Sequence, residues 1–228
     1  MNLAVIPARG GSKRIPRKNI KNFHGKPLIA YSIEVAKKSG LFDKIIVSTD
    51  DREIAEISKK LGAEVPFIRP QKLSDDFAGT DVVTEHALQT LKESGENFDF
   101  VCTIYATAPF LREEYLVEGF QKLKNSDAIN SFSASTFPFP IQRGFKLENS
   151  RCQMFQPENY STRSQDLEEA YHDAGQFYWK KVKETSSEVM FGKDSIPIIL
   201  PRYLVQDIDT LEDWKRAELM FQVLQNLA

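Results

Sequence analysis

The chain has 228 residues, a formal net charge of -2 and a sequence pI of about 6.0, with 41% hydrophobic and 27% charged residues. This ordinary globular composition predicts one domain over residues 1–228 with a sizeable core. Its near-neutral charge argues against a nucleic-acid binder, which would carry a basic excess across the whole domain. Because no stretch has the length of a membrane helix and no signal peptide precedes the first apolar run, we expect a soluble, cytoplasmic protein that binds neither nucleic acid nor membrane.

Apolar runs alternate with helix-length segments along the chain. The predicted strands lie at about residues 3–6, 44–49, 65–68, 99–105, 128–133, 175–179 and 196–200. The predicted helices lie at about residues 28–39, 52–61, 81–93, 113–124 and 211–227. Strands and helices that alternate at this spacing predict an α/β, Rossmann-like fold with a mainly parallel sheet and right-handed crossovers.

The alternation stops between residues 136 and 171, which we call the protruding segment. It begins with Phe137-Pro138-Phe139-Pro140 and continues with polar and aromatic residues that lack helical periodicity. Hairpins or loops are expected there. Long segments of this kind inside a compact domain usually serve as lids or as contacts to a second subunit.

A basic loop follows the first predicted strand. Between Arg9 and Lys21 the sequence has no acid and six cations, namely Arg9, Lys13, Arg14, Arg17, Lys18 and Lys21. Gly10 and Gly11 allow main-chain N–H groups to approach phosphate oxygens closely, and Lys and Arg add charge-assisted hydrogen bonds. Since ligands of open α/β sheets bind outside the carboxyl ends of the strands, the loop predicts a site for a polyanion such as a triphosphate.

Two plainer interpretations of the basic loop stay open at this point, an exposed solvated turn and a contact to nucleic acid. The position directly after a strand favours the ligand site. The sequence contains neither GxxxxGK[ST] nor GxGxxG. A Walker A loop and a dinucleotide fingerprint are therefore excluded.

Asp207 and Asp209 form a second candidate site near the C-terminal end. Residues two apart in an extended stretch project from the same face, so the two carboxylates are expected to point together. Such a pair suits Mg²⁺, which is commonly held by one or two carboxylates plus substrate phosphates and waters. The alternative for Asp209 is helix capping, but Thr210 and Asp213 already form a capping-box pattern for the last helix.

Several motifs together resemble the CMP-sugar synthetases, the cytidylyltransferases that activate nonulosonic acids. The resemblance covers nearly the whole chain. It rests on Pro7-Ala8-Arg9-Gly10-Gly11-Ser12-Lys13, Pro16 with Lys18-Asn19, Val47-Ser48-Thr49-Asp50, Arg69-Pro70, Pro109-Phe110-Leu111-Arg112 and Asp207-Ile208-Asp209.

This resemblance implies a nucleotidyltransferase fold and a homodimer in which the protruding segment reaches toward the partner's active site. The implied cofactor is Mg²⁺ on Asp207 and Asp209, and the implied catalytic residues are these two aspartates with Arg9 and Lys18. The expected nucleotide-binding residues are Ala8, Arg9, Gly11, Ser12, Lys13, Lys18, Asn19, Arg69 and Thr80.

Sugar recognition is expected to differ from that of the sialic acid members. Those members typically carry Gln-Pro-Thr-Ser-Pro-Leu-Arg after the strand, whereas this chain has Tyr105 in place of the Gln. The segments around Arg143, Arg163 and His172 look like the pseudaminic acid branch. The expected sugar-binding residues are Tyr105, Gln142, Arg143, Arg163, His172, Asp173 and Gln176, with Arg143 and Arg163 as candidates for the sugar carboxylate.

The resemblance therefore implies an Mg²⁺-dependent transfer of CMP from CTP to a nonulosonic acid, with release of pyrophosphate. Sialic, legionaminic and 3-deoxy-octulosonic acids are alternatives to pseudaminic acid. A non-catalytic nucleotide-binding regulator with the same fold is the alternative from another class of protein.

Overall fold

The computed structural model of the chain describes residues 1–75, 78–183 and 190–227, the last without its side chain. Strands and helices alternate as predicted. The strands are β1 (Asn2–Pro7), β2 (Asn22–Phe23), β3 (Lys26–Pro27), β4 (Lys44–Ser48), β5 (Phe100–Ile104), β6 (Asn130–Thr136), β7 (Phe145–Glu148), β8 (Arg151–Met154), β9 (Tyr171–Lys181) and β10 (Ser195–Ile199). The helices are α1 (Leu28–Lys38), α2 (Arg52–Lys60), α3 (Thr80–Glu93), α4 (Glu113–Lys124) and α5 (Leu211–Leu227).

The central sheet has the strand order β10-β6-β9-β5-β1-β4. β1 pairs in parallel with β4 and β5, and β10 pairs in parallel with β6. β9 pairs antiparallel with both β5 and β6, so it runs opposite to the other strands of this sheet. The prediction of a mainly parallel, Rossmann-like sheet is confirmed, and the carboxyl ends of β1, β4 and β5 meet at one edge.

Helices cover both faces of the sheet. Along β1, Leu3 and Val5 are buried in a cluster with α3, whereas Ala4 and Ile6 are buried in the larger cluster that contains α1 and α4 residues. Alternate residues of a strand face opposite sides, so a strand buried on both faces is apolar throughout. Trp179 of β9 is fully buried in the larger cluster and stacks on Phe42.

The structure corrects two of the predicted strands. Residues 65–68 are not a strand: isolated bridges join Glu64 to Ile46 and Ile68 to Thr49, and Pro66 cannot donate to a ladder. β9 begins at Tyr171 and not at residue 175. The sequence Tyr171-His172-Asp173 is too polar to predict a strand, yet it pairs with the end of β6.

The protruding segment leaves the sheet at the end of β6 and returns as β9. It contains the antiparallel hairpin β7–β8 and several short 3₁₀ turns. Its large apolar side chains are more than half exposed at Phe139, Phe145, Leu147, Phe155 and Tyr160. Among the residues described, no helix is both long and apolar enough to cross a membrane.

Gly119 lets α4 approach the sheet, and its replacement tests this packing. A Cβ at Gly119 would lie 2.9 Å from Cε2 of Phe177 and 3.2 Å from Cδ1 of Trp179. We expect Gly119→Ala to lower the free energy of unfolding by about 1–3 kcal/mol through overpacking, although helix propensity alone favours Ala by about 1 kcal/mol. Urea denaturation would measure the change. Gln121→Ala, on the exposed face of α4, is the control, and an equal or higher stability of Gly119→Ala would contradict the close packing.

Candidate active site

A cleft of about 350 Å³ opens at the edge of the sheet where β1, β4 and β5 end. This is the position at which α/β sheets bind ligands. The cleft brings together ten of the residues predicted from the sequence: Arg9, Ser12, Lys13, Lys18, Asn19, Arg69, Thr80, Tyr105, Asp207 and Asp209. Ala8 and Gly11 belong to the same loop but do not line it.

Buried side chains hold the basic loop in place. Asn19 is buried, and its Nδ2 donates a hydrogen bond of 3.0 Å to the carbonyl oxygen of Arg9. Ile15 is buried with Leu204 and Ile208 in a separate cluster. The backbone N–H of Ala8 donates to the carbonyl oxygen of Ser48, which ties the start of the loop to β4. The loop is thus anchored at both ends and in the middle.

The two loop glycines serve different purposes. Neither has a positive φ, so neither position requires glycine for a left-handed backbone conformation. The N–H of Gly10 donates to Asp50 Oδ1 at 2.9 Å, and a Cβ at Gly10 would lie only 2.6 Å from Asp51 Oδ2. A Cβ at Gly11 would meet nothing within 4 Å. The close packing at Gly10 is therefore against protein, whereas Gly11 borders open space.

Arg17 and Lys21 are engaged away from the cleft. Arg17 has a left-handed backbone, with φ of 56°, and its guanidinium pairs with Asp51 and Glu53 at the start of α2. The hydrogen bond to Asp51 raises the pKa of Arg17 and lowers the pKa of Asp51. Lys21 Nζ lies 4.4 Å from the ring centroid of Trp214. Of the six loop cations, those that line the cleft are Arg9, Lys13, Arg14 and Lys18.

The carboxylates of Asp207 and Asp209 reach the cleft on either side of the buried Ile208. Lys18 Nζ donates to Asp209 Oδ1 at 3.1 Å and to the carbonyl oxygen of Ile208. Arg14 pairs with Asp209 Oδ2 at 2.9 Å. Two loop cations therefore contact Asp209, and the sequence did not predict these ion pairs.

The predicted capping box at the start of α5 is confirmed. Asp213 Oδ2 accepts hydrogen bonds from the N–H groups of Asp209 and Thr210, and Thr210 Oγ1 accepts from the N–H of Asp213. Reciprocal bonds of this kind satisfy N–H groups that the helix leaves without partners. They also fix the backbone that carries the Asp209 carboxylate.

The pair of aspartates fits a divalent cation. Partial burial, followed by the charge of Asp209, raises the pKa of Asp207 above its ordinary value. A carboxylate whose ionised form is disfavoured in this way is stabilised by a nearby cation. Among the described residues no group of three or more His, Cys, Asp or Glu side chains could hold a metal. A pair of carboxylates still suits Mg²⁺, which commonly takes its remaining ligands from phosphates and water.

Arg69 is buried at the β4 side of the cleft. Its Nε donates to Ser74 Oγ at 3.0 Å, and one terminal nitrogen donates to the carbonyl oxygen of Ser48 at 3.3 Å. Its guanidinium also lies 3.9 Å from Asp50 Oδ1. Burial is the main cause that lowers the pKa of Arg69, but arginine stays protonated at neutral pH.

Of the residues expected to bind a sugar, Tyr105 lines the cleft and six others do not. Gln142 and Arg143 donate to the carbonyl oxygens of Glu168 and Thr162, and Arg163 pairs with Asp166, all within the protruding segment. The remaining three lie on β9: His172, Asp173 and Gln176. Their roles in sugar binding stay predictions, since none of the six lines this cleft.

Several lining residues were missed from the sequence. They are Pro7, Arg14, Ile15, Leu73, Asp75, Ala78, Val83, Ala106 and Thr107. Most are small or apolar and carry no chemical signature. Arg14 belonged to the basic loop, and Ala106 and Thr107 follow Tyr105 directly, so their positions after β1 and β5 were the available signal.

Comparisons with known proteins agree with this geometry. The sequence profile of the family described as "Cytidylyltransferase" matches residues 3–213. A pseudaminic acid cytidylyltransferase of Campylobacter jejuni subsp. jejuni is 47% identical over 224 residues, which cover 97% of each chain. A CMP-N,N'-diacetyllegionaminic acid synthase of Legionella pneumophila is 30% identical and covers 98% of this chain and 97% of its own. Among solved structures, a CMP:2-keto-3-deoxy-manno-octonic acid synthetase complexed with CTP has a TM-score of 0.66 at 15% identity, covering 97% of this chain and 98% of its own, which shows a shared fold.

The two loop glycines form a matched pair of test positions. We expect Gly10→Ala to lower the melting temperature, because the new Cβ would displace Asp51 from Arg17 and from its N-cap bond to Ile54. Loss of such a cap costs about 1 kcal/mol. Gly11→Ala should leave the melting temperature unchanged, since its Cβ meets open space. Equal melting temperatures for the two variants, measured by calorimetry, would contradict this assignment.

Proposed function

The chain belongs to the cytidylyltransferase family, and from this premise we propose that it transfers CMP from CTP to the anomeric hydroxyl of a nonulosonic acid, with pseudaminic acid as the favoured acceptor. One observation carries the proposal: four cations of the basic loop and the pair Asp207 and Asp209 line one cleft at the carboxyl edge of the sheet. A nucleoside triphosphate needs both charges, cations for its phosphates and carboxylates for the metal that accompanies them. The similarity to the pseudaminic acid enzyme over nearly the full length supports the choice of acceptor.

The nucleotide would lie along the basic loop. Arg9, Lys13 and Lys18 would neutralise the phosphates, and the open space at Gly11 would admit the phosphates close to the backbone. Arg69 and Thr80 would contact the nucleoside at the β4 side of the cleft. Because Asn19 is already bonded to the carbonyl oxygen of Arg9, its role would be to hold the loop.

Asp207 and Asp209 would hold Mg²⁺, which would neutralise phosphate charge and lower the pKa of the attacking hydroxyl. Arg14 and Lys18 both contact Asp209. When a triphosphate enters, these two cations lie next to the phosphates and can exchange a carboxylate oxygen for a phosphate oxygen. The loop would thus keep its charge compensated before and after binding.

The reaction would be an in-line displacement at the α-phosphorus. The anomeric oxygen forms a bond to phosphorus, the bond from phosphorus to the pyrophosphate oxygen breaks, and the hydroxyl proton leaves to solvent. No protein nucleophile is required. The chain contributes positioning, and Lys18, Lys13 and Arg9 stabilise the charge that develops on the α-phosphate and the pyrophosphate.

A second copy of the chain would complete the acceptor end. The protruding segment exposes five large apolar side chains, which is unusual for a surface in contact with water alone. Arg143 and Arg163, the candidates for the sugar carboxylate, lie in this segment and not in the cleft of their own chain. A homodimer that places this segment over the partner's cleft would bring an arginine to the sugar.

This arrangement predicts a dimer in solution. Sedimentation equilibrium at micromolar concentration should give twice the chain mass of 26.0 kDa. Leu147→Asp, at an exposed position of the β7–β8 hairpin, should shift the protein toward the monomer, because a charge in an apolar interface is costly. Glu148→Gln in the same strand is the control. A monomer at all concentrations would contradict the proposal.

The activity is tested by pyrophosphate release from CTP and Mg²⁺ with a panel of acceptors: pseudaminic, N-acetylneuraminic, legionaminic and 3-deoxy-octulosonic acids. Pseudaminic acid should give the highest kcat/KM. Asp209→Ala should abolish turnover without loss of the folded state, whereas Glu212→Ala on the exposed first turn of α5 should be as active as the wild type. Preference for another acid would overturn the acceptor assignment, and binding of CTP without turnover of any acid would favour a nucleotide-binding regulator.

A further inference from the structure

We infer that Asp173 is a positioning residue for the acceptor, which acts through Tyr178 on the aromatic ring of Tyr105. Tyr105 lines the cleft, whereas Asp173 and Tyr178 are not among its lining residues. The sequence had placed Asp173 among the residues that contact the sugar directly. The inference rests on the proposed function, because it concerns the sugar acid and not the nucleotide.

The first observation is a contact chain from the strand to the cleft. The hydroxyl of Tyr178 donates a 2.5 Å hydrogen bond to Asp173 Oδ2. The rings of Tyr178 and Tyr105 lie 5.2 Å apart, tilted by 44°. The pKa of Tyr178 is raised far above its ordinary value. The largest cause is burial, followed by the neighbouring Tyr105 and the hydrogen bond to Asp173. The hydroxyl therefore stays protonated and serves as the donor.

The second observation is a bulge in β9 that Asp173 closes. Phe132 of β6 pairs with Tyr178, but Ala134, two residues later, pairs with Asp173, five residues earlier in β9. The extra residues are accommodated at Gly175, whose φ is +63°. The N–H of Gly175 donates to Asp173 Oδ1 at 2.9 Å. One carboxylate oxygen thus closes the bulge, and the other holds Tyr178.

The bulge also contacts Tyr105 on the side of β9. The N–H of Tyr105 donates to the carbonyl oxygen of Gln176, which extends the β5–β9 ladder past the end of β5. A Cβ at Gly175 would lie 3.9 Å from the ring of Tyr105. Bulges re-aim side chains next to functional sites. Here the bulge and Tyr178 together set the position of the Tyr105 ring.

The strand order places Tyr105 at the acceptor end. In the order β9-β5-β1-β4, Arg69 lies beside the end of β4, where its N–H donates to the carbonyl oxygen of Thr49. The basic loop follows β1, and Tyr105 follows β5 on the side next to β9. The protruding segment leaves from β6 and returns into β9 on this same side. A ligand whose phosphates lie on the basic loop and whose nucleoside lies toward Arg69 would therefore meet Tyr105 with its acceptor.

Tyr178→Phe tests the inference, because it removes the hydroxyl and keeps the half-buried ring. Because this variant loses one hydrogen bond, we expect KM for pseudaminic acid to rise about fivefold. The dissociation constant of CTP, measured by calorimetry, should change less than about twofold, and kcat should be little affected. Asp173→Asn should have a similar effect, and the double variant should be no worse than the worse single variant.

Selectivity is the readout that a purely structural role would not move. In Tyr178→Phe the ratio of kcat/KM for pseudaminic acid to that for N-acetylneuraminic acid should fall. Tyr31→Phe is the control, because it also removes a tyrosine hydroxyl that donates a hydrogen bond, to the carbonyl oxygen of Phe23, in a different cluster. It should lower the melting temperature and leave KM for the sugar unchanged.

Three outcomes would overturn the inference. They are an unchanged KM for the sugar in Tyr178→Phe, an equal rise in KM for CTP and sugar, or the same rise in Tyr31→Phe. A wild-type protein that turns over no sugar acid would overturn the proposed function first and this inference with it, so the two failures can be told apart.

Discussion

The ion pairs of Asp209 with Lys18 and Arg14 join the two ends of the chain, and the cleft depends on this contact. Four cations at the end of one strand repel one another, and so do two carboxylates two residues apart. The cations of the loop and the carboxylates offset each other's charge only when α5 docks against the basic loop. The buried cluster that includes Ile15 of the loop and Ile208 between the aspartates supplies the apolar contact that makes this docking favourable. Long-range packing and local electrostatics therefore impose the same arrangement.

The electrostatics of the cleft favour function over stability. The raised pKa of Asp207 shows that its ionised form is disfavoured in the folded chain. With the folded pKa above the unfolded value, the contribution of this carboxyl to stability falls as the pH rises through that window. Groups of this kind persist where a ligand compensates them.

The sequence predicted what local rules determine. Buried strands are apolar on both faces, so their continuous apolar runs were visible in the sequence, and the Thr210–Asp213 capping box spans only four residues. The rest depends on partners distant in sequence. Asp51 leaves no room for a Cβ at position 10, which is why this residue is Gly10. Arg17 pairs with the same Asp51 carboxylate rather than with a ligand. The polar start of β9 becomes a strand only because β6 offers it a free edge. Likeness to a family transfers residue types, but it does not tell whether a side chain such as Arg143 reaches its own cleft.

The two ends of the cleft are built in different ways, and this bears on how acceptors diverge within the family. Under the proposed function, the nucleotide end would use consecutive residues of the basic loop and the aspartate pair, anchored by the core of a single chain. The acceptor end would use Tyr105, whose ring packs on Tyr178 of β9, and the exposed apolar surface of a protruding segment. A change in β9 or in the protruding segment would then alter the acceptor end without moving the basic loop. A relative of 30% identity whose name specifies a different sugar acid could therefore share the fold and the nucleotide end, because the proposed chemistry and the choice of acceptor would reside in separable parts of the chain.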